Sequence, residues 1–139
     1  MLAPDSLDVR EGLRTIPSQF GPKETMDRLE AEIRSSELTI FARIDHAAGA
    51  KKVGLTLRPT ELIIFGNARG GTPLMQSMQT VGIDLPLKAI VWEDASAKTW
   101  ISYNEPGWIA QRHRVPNAKG VISKMTALLS SLTRKAASP

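Results

Sequence analysis

The segment ELIIFGN, residues 61–67, constrains the fold most, because an apolar run ends there at a glycine and an asparagine. Apolar side chains stand at neighbouring positions, so both faces of an extended strand would be apolar, which is typical of a strand inside a sheet rather than at its edge. Pro59 marks the entry of this strand. We therefore predict a sheet with residues 61–67 in a central position.

Other elements are predicted on both sides of this run. Residues 38–44 (LTIFARI) are rich in residues that favour strands, and residues 87–94 and 98–104 flank a short ASA segment, which predicts an antiparallel hairpin. Apolar residues at helical spacing predict helices elsewhere. The remaining predictions are a strand at 9–16, a helix through Ser35, a short helix capped by Asp45, a helix at 73–80 with Thr72 as its N-cap, a helix from Asn104 that contains Trp108, and an amphipathic helix at about 117–134 whose end frays.

Composition limits the possible classes of protein. A chain of 139 residues fits one domain, residues 1–139, and has no cysteine for disulfides, thiolate metal sites or thiol nucleophiles. The acidic N-terminal segment lacks the apolar core of a signal peptide, and no stretch approaches the length of a membrane span. We expect a soluble, cytoplasmic protein without a membrane contact.

Charge is unevenly distributed along the chain. The net charge is +4, and no acidic residue follows Glu105, whereas six basic residues do: Arg112, Arg114, Lys119, Lys124, Arg134 and Lys135. A basic end of this kind attracts anions, including nucleic acid. The aromatic residues Trp92, Trp100, Tyr103 and Trp108 precede this end instead of alternating with its cations, so stacking on nucleic-acid bases is not favoured. We interpret the aromatic group as core or subunit interface.

The glycine-rich segment after the central strand is the strongest candidate site. It links a strand to a predicted helix, where free backbone N–H groups and the helix dipole favour anions. Its spacing, G-x-x-x-G-G-T, matches neither a Walker loop nor a dinucleotide-binding loop, so we predict no nucleotide cofactor. We predict a site for a small anionic ligand, a carboxylate or phosphate, at Asn67, Arg69, Gly70, Gly71 and Thr72. The alternative is a turn that only needs glycine.

Catalysis and metal binding have less support. His46 and His113 are the only histidines, so a metal site would need other ligand types, and we predict none. No nucleophile elbow is present. An enzyme would have to use Asp45 or His46 as acid or base beside Tyr103 and Arg69, which requires these side chains to meet in one cleft.

Several sequence segments, in this order, resemble those of one family: ETMDRLEAEI, IFARIDHAAGA, LRPTELIIFGN, GTPLMQ, GIDLPLKAIVWED and WISYNEPGW. The chain is similar to domain of unknown function family 302 over about residues 12–114, with the C-terminal amphipathic helix mostly beyond the match. The resemblance implies an α+β domain with a curved, mostly antiparallel sheet of about five strands backed by helices, similar to the TATA-binding-protein arrangement. It also implies a homodimer, and no known activity. Many relatives have proline at the position of Ala68, so the resemblance implies a less rigid loop here.

Together these observations predict a homodimeric module that binds a small ligand or another protein without catalysing a reaction. The alternatives are an enzyme with an Asp45/His46/Tyr103 cleft, and weak anion or nucleic-acid binding through the basic C-terminal third. The sequence does not identify the ligand.

Overall fold

A computed structural model of the chain describes residues 11–139. The predicted strand at 9–16 lies partly outside this range. A 3₁₀ helix, Gln79–Asp84, stands between α3 and β4. The other elements are β1 (Leu13–Pro17), α1 (Pro22–Ser35), β2 (Thr39–Asp45), α2 (His46–Lys52), β3 (Thr60–Gly66), α3 (Ala68–Ser77), β4 (Leu87–Glu93), β5 (Thr99–Asn104), α4 (Pro106–Arg112) and α5 (Lys119–Ala137).

The five strands form one antiparallel sheet in the order β1-β5-β4-β3-β2. This confirms the predicted α+β class, the number of strands and the internal position of β3. One row of paired residues crosses the sheet through Arg14, Tyr103, Ala89, Ile63 and Arg43. A bulge between Ile40 and Ala42 adds one residue to edge strand β2. Bulges of this kind bend an edge strand and discourage further pairing.

Helices α1 and α5 cover one face of the sheet and build the main core there. Along α1, three buried side chains recur at helical spacing: Met26, Leu29 and Ile33. They pack on alternate residues of the central strands and on the second half of α5. These sheet and α5 partners include Ile63, Phe65, Ala89, Val91, Ile101, Leu129 and Leu132.

A second, smaller core lies between α3, the 3₁₀ helix, α4 and the first half of α5. Its buried members are Leu74, Val81, Ile109 and Ala118. Leu85 contacts both clusters, so it joins the two cores where the chain enters β4. Helix α5 is therefore shared between the two cores, one along each half of its length.

The β4–β5 hairpin forms as predicted, and Asp94 organises its turn. Its carboxylate accepts hydrogen bonds from the backbone N–H groups of Ser96 and Lys98 and from the Trp100 indole N–H, at 2.8, 3.0 and 2.9 Å. The Trp100 indole and these amides favour the ionised form, so the pKa of Asp94 lies below its usual value. Asp94 thus closes the hairpin turn.

The prediction that the chain frays after Arg134 is wrong. Helix α5 continues to Ala137, and Ala136 and Ala137 are buried against the main core. Arg28 of α1 donates hydrogen bonds to the carbonyl oxygens of Lys135, Ala136 and Ser138, which have no donor inside the helix. Its guanidinium also lies 4.2 Å from the centre of the Phe20 ring. A side chain distant in sequence therefore caps the helix, and the local sequence carries no sign of it.

We expect Arg28→Ala to lower the free energy of unfolding by about 1–2 kcal/mol, because charged hydrogen bonds to helix-end carbonyls are lost at a partly exposed site. Urea unfolding measures the loss, and hydrogen exchange of the last turn of α5 should accelerate. Lys23→Ala on the same helix is the matched control, since Lys23 makes only an exposed i,i+4 pair with Asp27. Equal effects of the two substitutions would contradict a capping role for Arg28.

Candidate functional site

The glycine-rich segment is the first half of a helix, which corrects the predicted loop. The side chain of Asn67 caps α3 by accepting a hydrogen bond from the Gly70 N–H at 2.7 Å. Helix α3 begins at Ala68, so Thr72 is not its N-cap and Pro73 lies inside the helix instead of starting it. Asparagine and threonine are both good N-cap residues. Because the paired glycines weaken helices, the sequence favours a prediction that the helix begins after them, with Thr72 as its N-cap.

This earlier start changes the proposed anion contacts. The Gly70 N–H is bonded to the Asn67 side chain, and the Gly71 N–H donates to the Asn67 carbonyl oxygen at 3.2 Å. These two amides are therefore engaged inside the helix and are not directed at a ligand. A β-carbon at Gly70 would lie 3.3 Å from the capping oxygen, so glycine keeps this first turn closely packed.

All five predicted ligand residues nevertheless line one cavity of about 470 Å³. The cavity lies where the start of β2, the end of β3 and the start of β4 meet α3 and α5. Its volume falls in the usual range for small-molecule sites. Beside Asn67, Arg69, Gly70, Gly71 and Thr72, the lining contains Leu38, Phe41, Gly66, Ala68, Met75, Leu85, Pro86, Leu87, Val121, Lys124, Met125 and Leu128.

Polar and apolar lining residues occupy different depths. Gly66 and Leu87 are buried, and the apolar side chains of α5 that face the cavity are half-buried. Asn67, Arg69, Thr72 and Lys124 are exposed. The cavity therefore has an apolar interior and a polar mouth.

The mouth is cationic. Neither Arg69 nor Lys124 forms an ion pair within residues 11–139. Other arginines contrast with them, because Arg43 bonds to three carboxylates and Arg112 pairs with Asp84. The two unpaired cations come from different helices, α3 and α5, which no sequence pattern connects. Lys124 is the site residue that sequence reasoning missed.

The alternative catalytic cleft is not assembled. Tyr103 lies on β5, whereas Asp45 ends β2, three strands away across the sheet. The Asp45 carboxylate caps α2 by accepting from the Ala48 N–H at 2.9 Å, as predicted, and His46 is exposed in the first turn of α2. Tyr103 is buried in the main core, and burial raises the pKa of its phenol. The proposed Asp45/His46/Tyr103 site is therefore wrong.

The second histidine belongs to a polar cluster that the sequence did not predict. His113 Nε2 lies 2.5 Å from Asp84 Oδ2, and Thr80 Oγ1 lies 3.0 Å from His113 Nδ1. Arg112 donates to the same carboxylate at 2.9 Å. The cluster joins the 3₁₀ helix to the end of α4, and none of these residues lines the cavity. No group of three potential metal-binding side chains of the His, Cys, Asp or Glu type occurs in the described part of the chain.

The four aromatic residues of the hairpin and α4 all have packing partners within the chain. Trp100 and Tyr103 are buried, and Trp92 stacks on Trp100 with ring centres 6.1 Å apart. Trp108 packs against Gly12, where a β-carbon would overlap the indole ring. The core interpretation is therefore right for Trp100 and Tyr103, and their size gives no reason for a dimer. The six C-terminal cations are spread over α4, α5 and the segment between them, with Arg112 already paired.

Among residues 11–139, no helix has both the length and the apolar character to cross a membrane. Two curated relatives are ion channels by name. The chain is 45% identical over 130 residues, 93% of its own length, to proteins of Brucella suis biovar 1 and Brucella melitensis biotype 1 called fluoride-specific ion channels FluC 1 and FluC 2. It spans about half the length of these relatives, 51% and 48%.

A solved structure supports the fold. The crystal structure of an uncharacterised conserved protein from Bacillus stearothermophilus superimposes with a TM-score of 0.81 at 18% identity, covering 91% of this chain and 99% of that one. That protein is described as a DUF302 protein. Residues 14–132 of the chain match the family described as domain of unknown function DUF302. The match covers most of the chain, from the second residue of β1 through β5, the cavity and most of α5, and the chain therefore belongs to the DUF302 family.

Proposed function

We propose that this chain is a small-ligand-binding module that does not catalyse a reaction, and that its ligand occupies the cavity between α3, α5 and the sheet. The observation that carries the proposal is the cavity itself, with an apolar interior and, at its mouth, two cations that pair with no carboxylate within residues 11–139. Pockets with a mostly apolar lining and a few convergent polar groups are the usual form of small-molecule sites.

The lining also argues against catalysis. Its ionisable side chains are Arg69 and Lys124, and it contains no Asp, Glu, His or Tyr. Guanidinium and ammonium groups donate hydrogen bonds and accept none. The lining therefore offers binding and orientation for an anion, and no general base.

We expect Arg69→Ala to weaken binding of 8-anilinonaphthalene-1-sulfonate, an anion with an aromatic body, by about tenfold, which corresponds to a charged hydrogen bond of about 1.5 kcal/mol. Fluorescence titration gives the dissociation constant, and thermal unfolding of the same variant should be unchanged because Arg69 is exposed. Arg114→Ala is the matched control, since Arg114 is an exposed arginine outside the cavity. A large loss of melting temperature with unchanged affinity would mean that Arg69 only stabilises α3.

We further propose that the module is a homodimer that associates through the sheet face opposite α1 and α5. Strand alternation places Ile44, Leu62, Ile64, Ile90 and Trp92 on this face, and no helix within residues 11–139 packs across it. Lys88 carries the only charge that the described strands present there, and its ammonium group donates to the Pro86 carbonyl oxygen. Depletion of charge at the centre of an apolar patch is typical of subunit interfaces.

The accessible part of this face lies on β2, β3 and β4, because Thr15, Trp100 and Ser102 on β1 and β5 are already buried. Three strands spaced ~4.8 Å apart, with about six residues of ~3.4 Å each, give a flat area of roughly 290 Å² before side-chain relief is counted. The segment before β3 has further exposed apolar residues, Val53, Leu55 and Leu57, which are 72, 66 and 46% exposed. A standard interface buries about 800 Å² on each partner. A nearly uncharged face is also self-complementary, as a two-fold interface requires.

We expect light scattering at high micromolar concentration to give about twice the chain mass of 15.2 kDa. Leu62→Glu should reduce it to the monomer mass, because it buries a charge at the centre of the proposed interface. Ile83→Glu is the control, since Ile83 is 72% exposed and lies on the 3₁₀ helix. A wild-type monomer, or an equal effect of both substitutions, would exclude this interface.

A second candidate function follows from the named relatives. We infer that channel activity in the Brucella proteins resides in the half that this chain does not match, and that the matched half is an accessory module beside the channel. This chain would then bind its ligand in the cytoplasm next to a fluoride-conducting partner. Deleting the matched half of the Brucella suis protein should leave fluoride flux in reconstituted vesicles. A complete loss of flux with intact insertion would show that this half helps to build the pore.

A further inference from the structure

We infer that the cavity selects an amphiphilic monoanion, a carboxylate on a single saturated hydrocarbon chain, with the head between Arg69 and Lys124 and the chain inside. This inference rests on the proposed ligand-binding function and names the class of ligand. It follows from the distribution of chemistry along the cavity, from its exposed mouth to its buried end.

The interior excludes ligands that are polar throughout. The walls are formed mainly by aliphatic and thioether side chains, which offer no hydrogen-bond donor and only a weak acceptor in the sulfur. A sugar or nucleotide buried there would leave its hydroxyl and amide groups unpaired, and each unpaired group would weaken binding. A hydrocarbon chain has no such groups, and each buried methylene adds favourable free energy.

The flexible walls suit a chain of variable length. Met75 of α3 and Met125 of α5 both line the cavity, and unbranched thioether side chains adapt to irregular apolar shapes. Phe41, the extra residue in the β2 bulge, is 57% exposed and also lines the cavity. Phe41 is the only aromatic side chain in the lining, so a flat ring system would lack a second aromatic face to stack against.

The mouth selects the charge of the head group. Arg69 and Lys124 reach the same cavity from two helices and have no carboxylate partner within residues 11–139. A carboxylate between them would accept charge-assisted hydrogen bonds from both, and the exposed Thr72 also lines the mouth. An alcohol of the same length would lose these contacts, and an alkylammonium would be repelled.

Calorimetric titration with straight-chain carboxylates from butanoate to decanoate tests the inference. Affinity should rise about fourfold with each methylene until the interior is filled. Octanol should bind at least about tenfold more weakly than octanoate, and octyltrimethylammonium more weakly still. The preference for octanoate over octanol should fall in Arg69→Ala and Lys124→Ala and persist in Lys119→Ala, whose residue lies on α5 outside the cavity.

A second experiment distinguishes a free carboxylate from a membrane lipid as the source of the anionic chain. Sedimentation with phosphatidylglycerol vesicles should leave the protein in the supernatant, and octanoate affinity should be unchanged by the vesicles. Sedimentation that Arg69→Ala abolishes would overturn the assignment to a free carboxylate in favour of membrane lipid. Equal affinities for octanoate and octanol would overturn the anionic head.

Two blocking variants distinguish this inference from the proposed function. Val121→Trp fills the interior from α5, and Thr72→Trp narrows the mouth at an exposed position that should not disturb folding. Both should abolish binding of octanoate. If wild type binds octanol as well as octanoate, and Thr72→Trp abolishes both, the cavity is a ligand site of another class. If neither variant changes binding, the cavity is not the site and both proposals fail.

Discussion

Helices α1 and α5 cover one face of the sheet, and the rest of the structure depends on this one-sided burial. The main core forms only on that face, through alternate residues such as Ile63 and Ile101 packed against α1 and α5. Burial of this apolar area is the largest favourable term in folding. Two other features accompany it: an apolar opposite face, and a cavity bounded by α3, the first half of α5 and one end of the sheet.

Polar contacts between distant segments hold the helix layer in place. Arg43 of the edge strand β2 donates to Glu61 beside it and to Asp27 and Glu30 of α1, so it fixes the helix against the sheet edge. The three carboxylates hold the pKa of Arg43 above its ordinary value. In turn, Lys23 and Arg43 lower the pKa of Asp27, and Arg43 and Arg34 lower that of Glu30. Arg28 of α1 fixes the end of α5 in a similar way, by donating hydrogen bonds to carbonyl oxygens there. The position of α5, which forms one cavity wall, thus depends on residues far from the cavity.

The sequence identified the cavity-lining segment and misjudged its conformation. Residues 67–72 were expected to be a loop because two glycines precede Thr-Pro, whereas the Asn67 side chain closes the first helical turn over those glycines. Local propensity is a weak signal when a capping side chain and packing on Met125 compete with it. The partner cation Lys124 lies more than fifty residues along the chain from Arg69. Only the packing of α5 beside α3 brings both to one mouth.

By itself the sequence determined the class of fold and nearly all elements, because the periodicity of apolar residues records whether a segment is a strand or a helix. It determined the hairpin for the same local reason, and the order of its motifs indicated the family. Tertiary structure alone decided which face of the sheet is covered, which cations meet, and that Asp45 and Tyr103 stay apart. These properties depend on strand order and helix packing, contacts between residues far apart in the chain that no local pattern encodes.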